Sequence, residues 1–230
     1  MTLGDPRIHV DSCASTQELL EATMPEGAVA VADYQTAGRG RLGRSWDAPP
    51  GDALLASVLL KPPAGRPLPQ LALVAGVAVA DALERLTGLA VQIKWPNDVM
   101  LRRTKVAGIL AEARDGAVVL GIGVNLNQAR NRLPDRGGSL FTQTGLEWDR
   151  DQVLDEVLAD LSRRYDQWRA GGLEAVYEGL GARDFLRGRR VMVEDRSGVA
   201  ELIDRDGRLH VALGGGESLV VESGEVTYER

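Results

Sequence analysis

The apolar positions of this chain switch between strand and helix periods four times after residue 28. Between residues 28 and 126 short apolar runs alternate with polar turns. The runs 28–34 and 54–60 are nearly unbroken and predict buried strands, whereas 91–95 alternates as a half-buried strand does. Between them the pattern predicts a long helix over 67–86 that ends near Gly88. The runs 98–102 and 106–113 flank the polar turn Arg103-Thr104, and 117–126 follows the turn Asp115-Gly116. Turns this short join antiparallel neighbours, not βαβ crossovers.

Outside that block, Ser15 and Glu18 stand at capping-box spacing and predict a helix start. Residues 35–52 are rich in Gly, Arg and Pro and predict a loop, and 130–146 reads as irregular. Helical periodicity sets in at 151: Val153, Leu154, Val157, Leu158, Leu161 and Tyr165 share one face of a helix over 151–169, and a shorter helix follows over 173–180. Past Arg187-Gly188-Arg189-Arg190 the period shortens to strands at 191–194, 198–203, 208–212, 218–221 and 225–228. So small an all-β unit buries little alone and should lean on the rest. The expected organisation is α/β in the α+β sense. A unit over 1–186 carries a mixed, largely antiparallel sheet, and a small β unit occupies 187–230.

Composition narrows the function. With 33 acidic and 27 basic residues the net charge is −6, which argues against a dedicated nucleic-acid binder. One cysteine, Cys13, excludes a disulfide framework and a cysteine-built zinc site, and two distant histidines argue against a histidine metal site or a Ser-His triad. The N-terminus lacks the pattern of a secretion signal, and the longest apolar stretch, 71–83, is too short to span a bilayer, so no membrane role and a cytoplasmic location are expected. The basic residues divide into 24 Arg and 3 Lys: Lys61, Lys94 and Lys105. Where Arg is so freely used, a Lys marks a place suited to a compact point charge and not to a planar fork.

Two segments carry candidate chemistry. Gly38-Arg39-Gly40-Arg41-Leu42-Gly43-Arg44 formally matches a dinucleotide-binding glycine pattern, but Pro49 and Pro50 follow where that pattern needs a helix. The better reading is an anion-binding loop, three forked cations on a bendable backbone, mobile until an anion neutralises their repulsion. The alternative is a solvated basic turn. In the second segment a strand ends in Lys94-Trp95-Pro96-Asn97-Asp98, and Asn97-Asp98 turns into the next strand. Lys94 and Lys105 bracket this hairpin and can converge on one face. Gly108, Gly121 and Gly123 lie inside strands, where glycine implies close approach of a ligand or another backbone, and Asn125 stands ready to read a base edge.

These motifs, with Lys105-Val106-Ala107-Gly108-Ile109-Leu110, Gly121-Ile122-Gly123-Val124-Asn125 and Ser15-Thr16-Gln17, resemble in order and spacing those of biotin protein ligases, over essentially the whole chain. The resemblance implies a catalytic domain related to class II aminoacyl-tRNA synthetases followed by an SH3-like barrel. Some relatives add an N-terminal DNA-binding domain, but only about fourteen residues precede Ser15, so the ligase-only type is expected. The implied chemistry has two steps. Biotin and ATP give biotinyl-5′-adenylate and pyrophosphate, and a lysine of a biotin carboxyl carrier protein then takes the biotin and releases AMP.

By the same resemblance, Ser15, Thr16, Gln17 and Gln35 meet the ureido ring, with Gly38 and Arg39 beside it and Gly108 leaving room for biotin. Arg41 and Lys105 hold the carboxylate and then the α-phosphate; Arg44, Lys94 and Asn97 serve ATP; Trp46 closes over the ligand; and Asn125 meets the adenine. Asp98 either orients the incoming lysine or assists Mg²⁺, which is expected with ATP and with few protein ligands. No resident metal site is expected. Relatives include monomers and dimers, so a homodimer is among the expected states. Leu42 departs from the family pattern, where many members have a second basic residue. The rivals are a lipoate ligase of the same superfamily, whose Arg-rich Gly-Gly motif with a downstream His is missing, and a non-catalytic adenylate sensor.

Overall fold

The computed structural model describes residues 2–229, and among them twelve strands form two sheets. The larger sheet contains β1 (Arg7–Cys13), β2 (Val29–Gln35), β3 (Ala53–Leu60), β4 (Val91–Lys94), β5 (Asp98–Leu101), β6 (Thr104–Arg114) and β7 (Ala117–Asn125). Their spatial order is β1-β2-β3-β7-β6-β5-β4. Strand β3 is buried at every position because both faces of the sheet are covered. One face carries α1 (Gln70–Thr87), the short α2 (Leu140–Thr144) lies beyond β7, and α3 (Arg150–Gly171) packs on α1. α1 is apolar on nearly all sides, as befits a helix between a sheet and another helix, and stops where Gly88 takes a left-handed conformation and donates its N–H to Glu84 O. α3 starts where Asp149 Oδ1 accepts the Gln152 N–H at 2.7 Å. Tyr165 and Trp168 are fully buried on its inner face.

A 3-10 turn (Leu173–Val176) and α4 (Tyr177–Gly181) lead to the second sheet, which is antiparallel throughout. It comprises β8 (Arg190–Val193), β9 (Arg196–Ile203), β10 (Leu209–Ala212), β11 (Ser218–Val221) and β12 (Val226–Tyr228), in the order β11-β10-β9-β8-β12. It does lean on the first: Val191, Ala200, Ile203, Leu209 and Val226 join the same apolar core as α1 and β3–β7. Trp95 Nε1 donates to Gly207 O at 2.9 Å, and Tyr177 Oη donates to Ile203 O.

One strand was missed and three expectations need correction. Strand β1 was not legible, because its alternation of charged or polar with small apolar residues is that of an exposed edge, and it pairs parallel to β2, so the sheet is mixed. Ser15 caps no helix with its side chain: a 3-10 turn (Thr16–Leu19) follows it, and the Thr16 N–H goes to Gln35 Oε1 at 2.7 Å instead. The stretch 130–146 contains α2, capped by Ser139 and Thr142 in a reciprocal box. The helix expected over 173–180 is a 3-10 turn followed by five α-helical residues.

Candidate active site

The face of the large sheet away from α1 carries the site. Register aligns two rows of residues across it. The first runs Asp98, Gly108, Gly123, Leu55 across β5, β6, β7 and β3, and the second runs Leu110, Gly121, Ser57 across β6, β7 and β3. Directly paired glycines leave the sheet bare at Gly108 and Gly123, and the Trp46 indole lies there. A Cβ at Gly123 would come within 2.5 Å of the indole, and one at Gly108 within 2.8 Å. On the second row the Gln17 amide lies over Gly121, and Thr16 Oγ1 meets Ser57 Oγ at 2.8 Å. The rows floor a single cleft whose lining includes Ser15, Gln35, Arg41 and Lys105.

One end of this cleft is neutral and polar. Ser15, Thr16 and Gln17 are almost fully buried. Thr16 gives both its N–H and its hydroxyl to Gln35 Oε1, at 2.7 and 3.1 Å. Gln17 Nε2 donates to Leu110 O at 3.3 Å, while its Oε1 is buried without a protein partner. Trp46 Nε1 is likewise buried and unpartnered. A buried polar atom left so costs on the order of 1–3 kcal/mol, so both atoms point to a ligand that supplies the missing partner.

The other end is cationic. Lys94 and Lys105 converge as their spacing suggested, on one carboxylate: Asp98 Oδ2 is 3.3 Å from Lys94 Nζ and Oδ1 is 2.6 Å from Lys105 Nζ. Lys105 Nζ also lies 5.4 Å from the centre of the Trp46 ring. Asn97 is locked to β6, receiving the Ile109 N–H on its carbonyl and giving its Nδ2 to Ile109 O at 2.8 Å, which leaves Oδ1 facing Arg41.

The arginine loop is a tight hairpin, not an open turn. Arg39 and Ser45 form an antiparallel bridge, and the Gly40 N–H reaches Arg44 O at 2.7 Å. Its three arginines diverge. Arg39 pairs with Glu112 at 3.1 Å, Arg44 pairs with Glu225 of the small sheet, and Arg41 points inward. The hydrogen-bond acceptors of Arg41 are neutral and distant, Asn97 Oδ1 and Gly224 O, both at 3.4 Å. Burial draws the Arg41 guanidinium below its usual pKa, and the Asp98 and Glu225 carboxylates pull it part of the way back. A half-desolvated cation of this kind is a preformed seat for an anion. Leu42 sits at the tip with φ 56° and points to solvent.

Two predicted residues fall outside the lining. Gly38 is buried behind Trp46, where a Cβ would lie 2.2 Å from Trp46 O, so it shapes the loop. Asn125 is buried and uses both ends of its amide internally. Nδ2 donates to Gly138 O at 2.8 Å, and Oδ1 accepts from Gln128 Nε2 at 3.1 Å. Sequence reasoning missed Ser57, a fully buried hydroxyl in an otherwise apolar strand, and the lining residues Gly224 and Glu225, whose approach from the small sheet no local pattern announces. Among the described residues no cluster of three or more His, Cys, Asp or Glu is disposed to hold a metal. The carboxylate of Asp98 is shared by two lysines and that of Glu225 faces Arg44, so this donor set does not fit a protein-held divalent cation.

Residues 7–128 match the biotin/lipoate A/B protein ligase family. The chain is 38% identical to the biotin–[acetyl-CoA-carboxylase] ligase of Mycobacterium tuberculosis over 218 residues, 89% of this chain and 80% of that protein. It is 37% identical to the bifunctional ligase/repressor BirA of Bacillus subtilis over 188 residues, 76% of this chain but 58% of that protein. The chain therefore spans under two thirds of the length of that relative. The solved structure of the biotin protein ligase from Aquifex aeolicus in complex with biotin and ATP superposes with a TM-score of 0.88 at 32% identity, covering 98% of this chain and 99% of that one. No helix among the described residues is long and apolar enough to cross a membrane.

Proposed function

The chain belongs to the biotin/lipoate A/B protein ligase family, and from that premise we propose that it is an ATP-dependent biotin protein ligase. The observation that carries this reading is the polarity of one cleft. Its neutral partners lie over β3 and β7 and its cations over β5 and β6, three strand spacings or about 14 Å across. Biotin has the matching form, a neutral ureido ring at one end and a carboxylate at the other. The unpartnered Gln17 Oε1 is an acceptor in want of an N–H donor, which a ureido group has and a lipoyl dithiolane lacks. That favours biotin over lipoate.

In the first step a biotin carboxylate oxygen attacks the α-phosphorus of ATP and the bond to pyrophosphate breaks. Two anions must meet, and Lys105 and Arg41 supply fixed positive charge on either side of the new bond, while Lys94 and Arg44 face the departing phosphates. Any magnesium would travel with the triphosphate, since the cleft's carboxylates are already paired. In the second step a lysine amine of a biotin carboxyl carrier protein attacks the acyl carbon, loses a proton and displaces AMP. Asp98 has a role in both. It aligns the two lysines in the empty site and, once they turn to substrate anions, it accepts a hydrogen bond from the incoming amine. Asn97 acts by fixing the turn beneath Arg41.

We also read residues 1–186 as a catalytic domain of the class II synthetase-like type and 187–230 as an SH3-like domain, supported by the antiparallel centre of the large sheet and the five short antiparallel strands of the small one. A cytoplasmic location accords with a need for ATP. The test is biotin-dependent exchange of pyrophosphate into ATP, followed by the mass increment of biotin on a carrier domain. A folded preparation that exchanges no pyrophosphate would sink the proposal, and exchange without transfer would make the protein an adenylate sensor.

A further inference from the structure

The segment 130–138 carries no recognisable motif, yet it lies against the cation most exposed to the proposed chemistry. Lys105 is the second residue of β6, beyond the bulge that shifts the β5–β6 register; it pairs with Met100 of β5 but lies past the end of the β6–β7 ladder, which begins at Ala107. A strap of chain makes up the deficit. Gly137 forms a parallel bridge to Lys105; the Lys105 N–H donates to Arg136 O at 2.9 Å, and the Gly138 N–H donates to Lys105 O at 2.8 Å. Side chains hold the strap in turn: Arg136 donates to Tyr228 O at 3.3 Å, and Arg130 gathers the carbonyls of the bend. Arg130 donates from Nη1 to Pro134 O at 3.1 Å and Gly137 O at 2.8 Å, and from Nη2 to Asp135 O at 2.8 Å. Asn125 Nδ2 fastens the far end at Gly138 O. Gly138 is required there, because a Cβ would lie 2.2 Å from Thr104 Oγ1.

We infer that Arg130 is a positioning residue for Lys105. By gathering three carbonyls in one guanidinium fork it shapes the strap that fixes the Lys105 backbone, and so aims the ammonium at the substrate carboxylate. An ammonium cannot span three carbonyls in this way, so Arg130→Lys should fail nearly as fully as Arg130→Ala. The inference rests on the reading of Lys105 as a carboxylate ligand, so it is tested in two ways that fail separately.

The first is amide hydrogen exchange of the full chain without ligand. In Arg130→Ala the Lys105 and Gly138 amides should exchange at least about tenfold faster, with the Ile109 to Val124 ladder unchanged. Unaltered exchange at Lys105 overturns the strap whatever the protein does. The second is calorimetric binding of biotin and of its alcohol analogue, in which a hydroxymethyl group replaces the carboxylate. The preference for biotin should shrink about fivefold in Arg130→Ala and Arg130→Lys, with affinity for the alcohol within about twofold of the parent. Equal losses for both ligands, or an unchanged preference, overturn the positioning role. Lys105→Ala serves as the reference: if it leaves the preference intact, the assignment of Lys105 to the carboxylate has failed, and the exchange result alone judges the strap.

Discussion

Two basic arms flank the cleft, and they are built on different terms. Lys94 and Lys105 stand on paired strands around Asp98, and the side chains of Lys94 and Asp98 are each only 15% exposed. Arg39, Arg41 and Arg44 stand on an excursion from the sheet, closed on itself by the Arg39–Ser45 bridge and the Gly40 N–H to Arg44 O bond, with Leu42 in the left-handed region and Arg44 67% exposed. The first arm has its backbone fixed by the sheet and, at Lys105, by the strap 130–138, so only the lysine side chains turn when an anion arrives. The second is spread over three unlike partners, Glu112, Asn97 and Glu225, each on a different element, and an anion in the cleft competes with all of them. Fixed charge lowers a barrier by preorganisation, whereas movable charge closes a site behind its ligand. Damage to the hairpin should therefore show in the rate of chemistry, and damage to the loop in ligand affinity.

The largest expected effect is on the hairpin. Lys105→Ala should slow biotin-dependent pyrophosphate exchange by about a hundredfold, the typical loss for one preorganised charge contact. Lys105→Arg should recover little of this, because a planar fork does not fit between Asp98 and the Trp46 ring, where one ammonium now reaches both. Exchange at the parental rate in Lys105→Ala would erase the distinction between the arms.

Gly123→Ala probes the loop from below. Its Cβ would meet the Trp46 indole at 2.5 Å, and the indole, carried on the loop and not on the sheet, is what gives way. Biotin affinity should weaken about tenfold by calorimetry, the equivalent of 1.4 kcal/mol, while the melting temperature stays close to that of the parent. A large fall in melting temperature would show that Trp46 belongs to the rigid framework and not to a movable cover.

The hairpin also has support from outside its own sheet, and this gives a pH test. The turn 204–208 presents Gly207 O to Trp95 Nε1, and Asp204 organises that turn. Burial alone would raise the Asp204 carboxyl, but hydrogen bonds from His210, Arg208 and the Asp206 N–H outweigh it and lower the pKa to about 2 from 3.8. A pKa depressed on folding adds stability that is present above the ordinary value and lost as pH falls through the depressed one. The window is therefore pH 4 down to 2. Asp204→Asn should cost about 1 kcal/mol at neutral pH, allowing for solvent screening, and should flatten the acid limb of the stability curve in that window. Denaturant melts at pH 6, 4 and 2.5 check it, and parallel limbs in parent and variant would refute it.

How legible the two arms were follows from the same difference. The convergence of Lys94 and Lys105 was readable because antiparallel register converts spacing into position: Lys94 pairs with Asp98, and Asp98 with Gly108. The bare glycine row was readable for the same reason. The loop's charge and its fitness for an anion were visible too, but its partners were not, since Glu112 and Glu225 are 73 and 181 residues from Arg39 and Arg44 and nothing local encodes the meeting. The internal partners of Asn125 were not legible, because its placement in a glycine-rich strand says that it is special without saying which side of the sheet it faces. Strand β1 was hidden because its alternation is short and half-exposed, as at a sheet edge, and buries no residue fully.

The smallest expected effect is also the most discriminating. Glu225 and Arg44 are 41% and 67% exposed, so their pairing should contribute no more than about 0.5 kcal/mol to folding. Glu225→Gln should therefore melt within about 2 °C of the parent. Removing the carboxylate nevertheless removes a competitor for Arg44, so the apparent affinity for ATP should rise about two- to threefold at low salt, and the gain should fade as salt screens both partners. If Glu225 instead helps to hold the loop in its working shape, affinity falls and the loss persists at high salt. The sign of this change, measured by titration of ATP at 20 and 300 mM salt, decides whether the small sheet restrains the loop against its ligand or presents the loop to it.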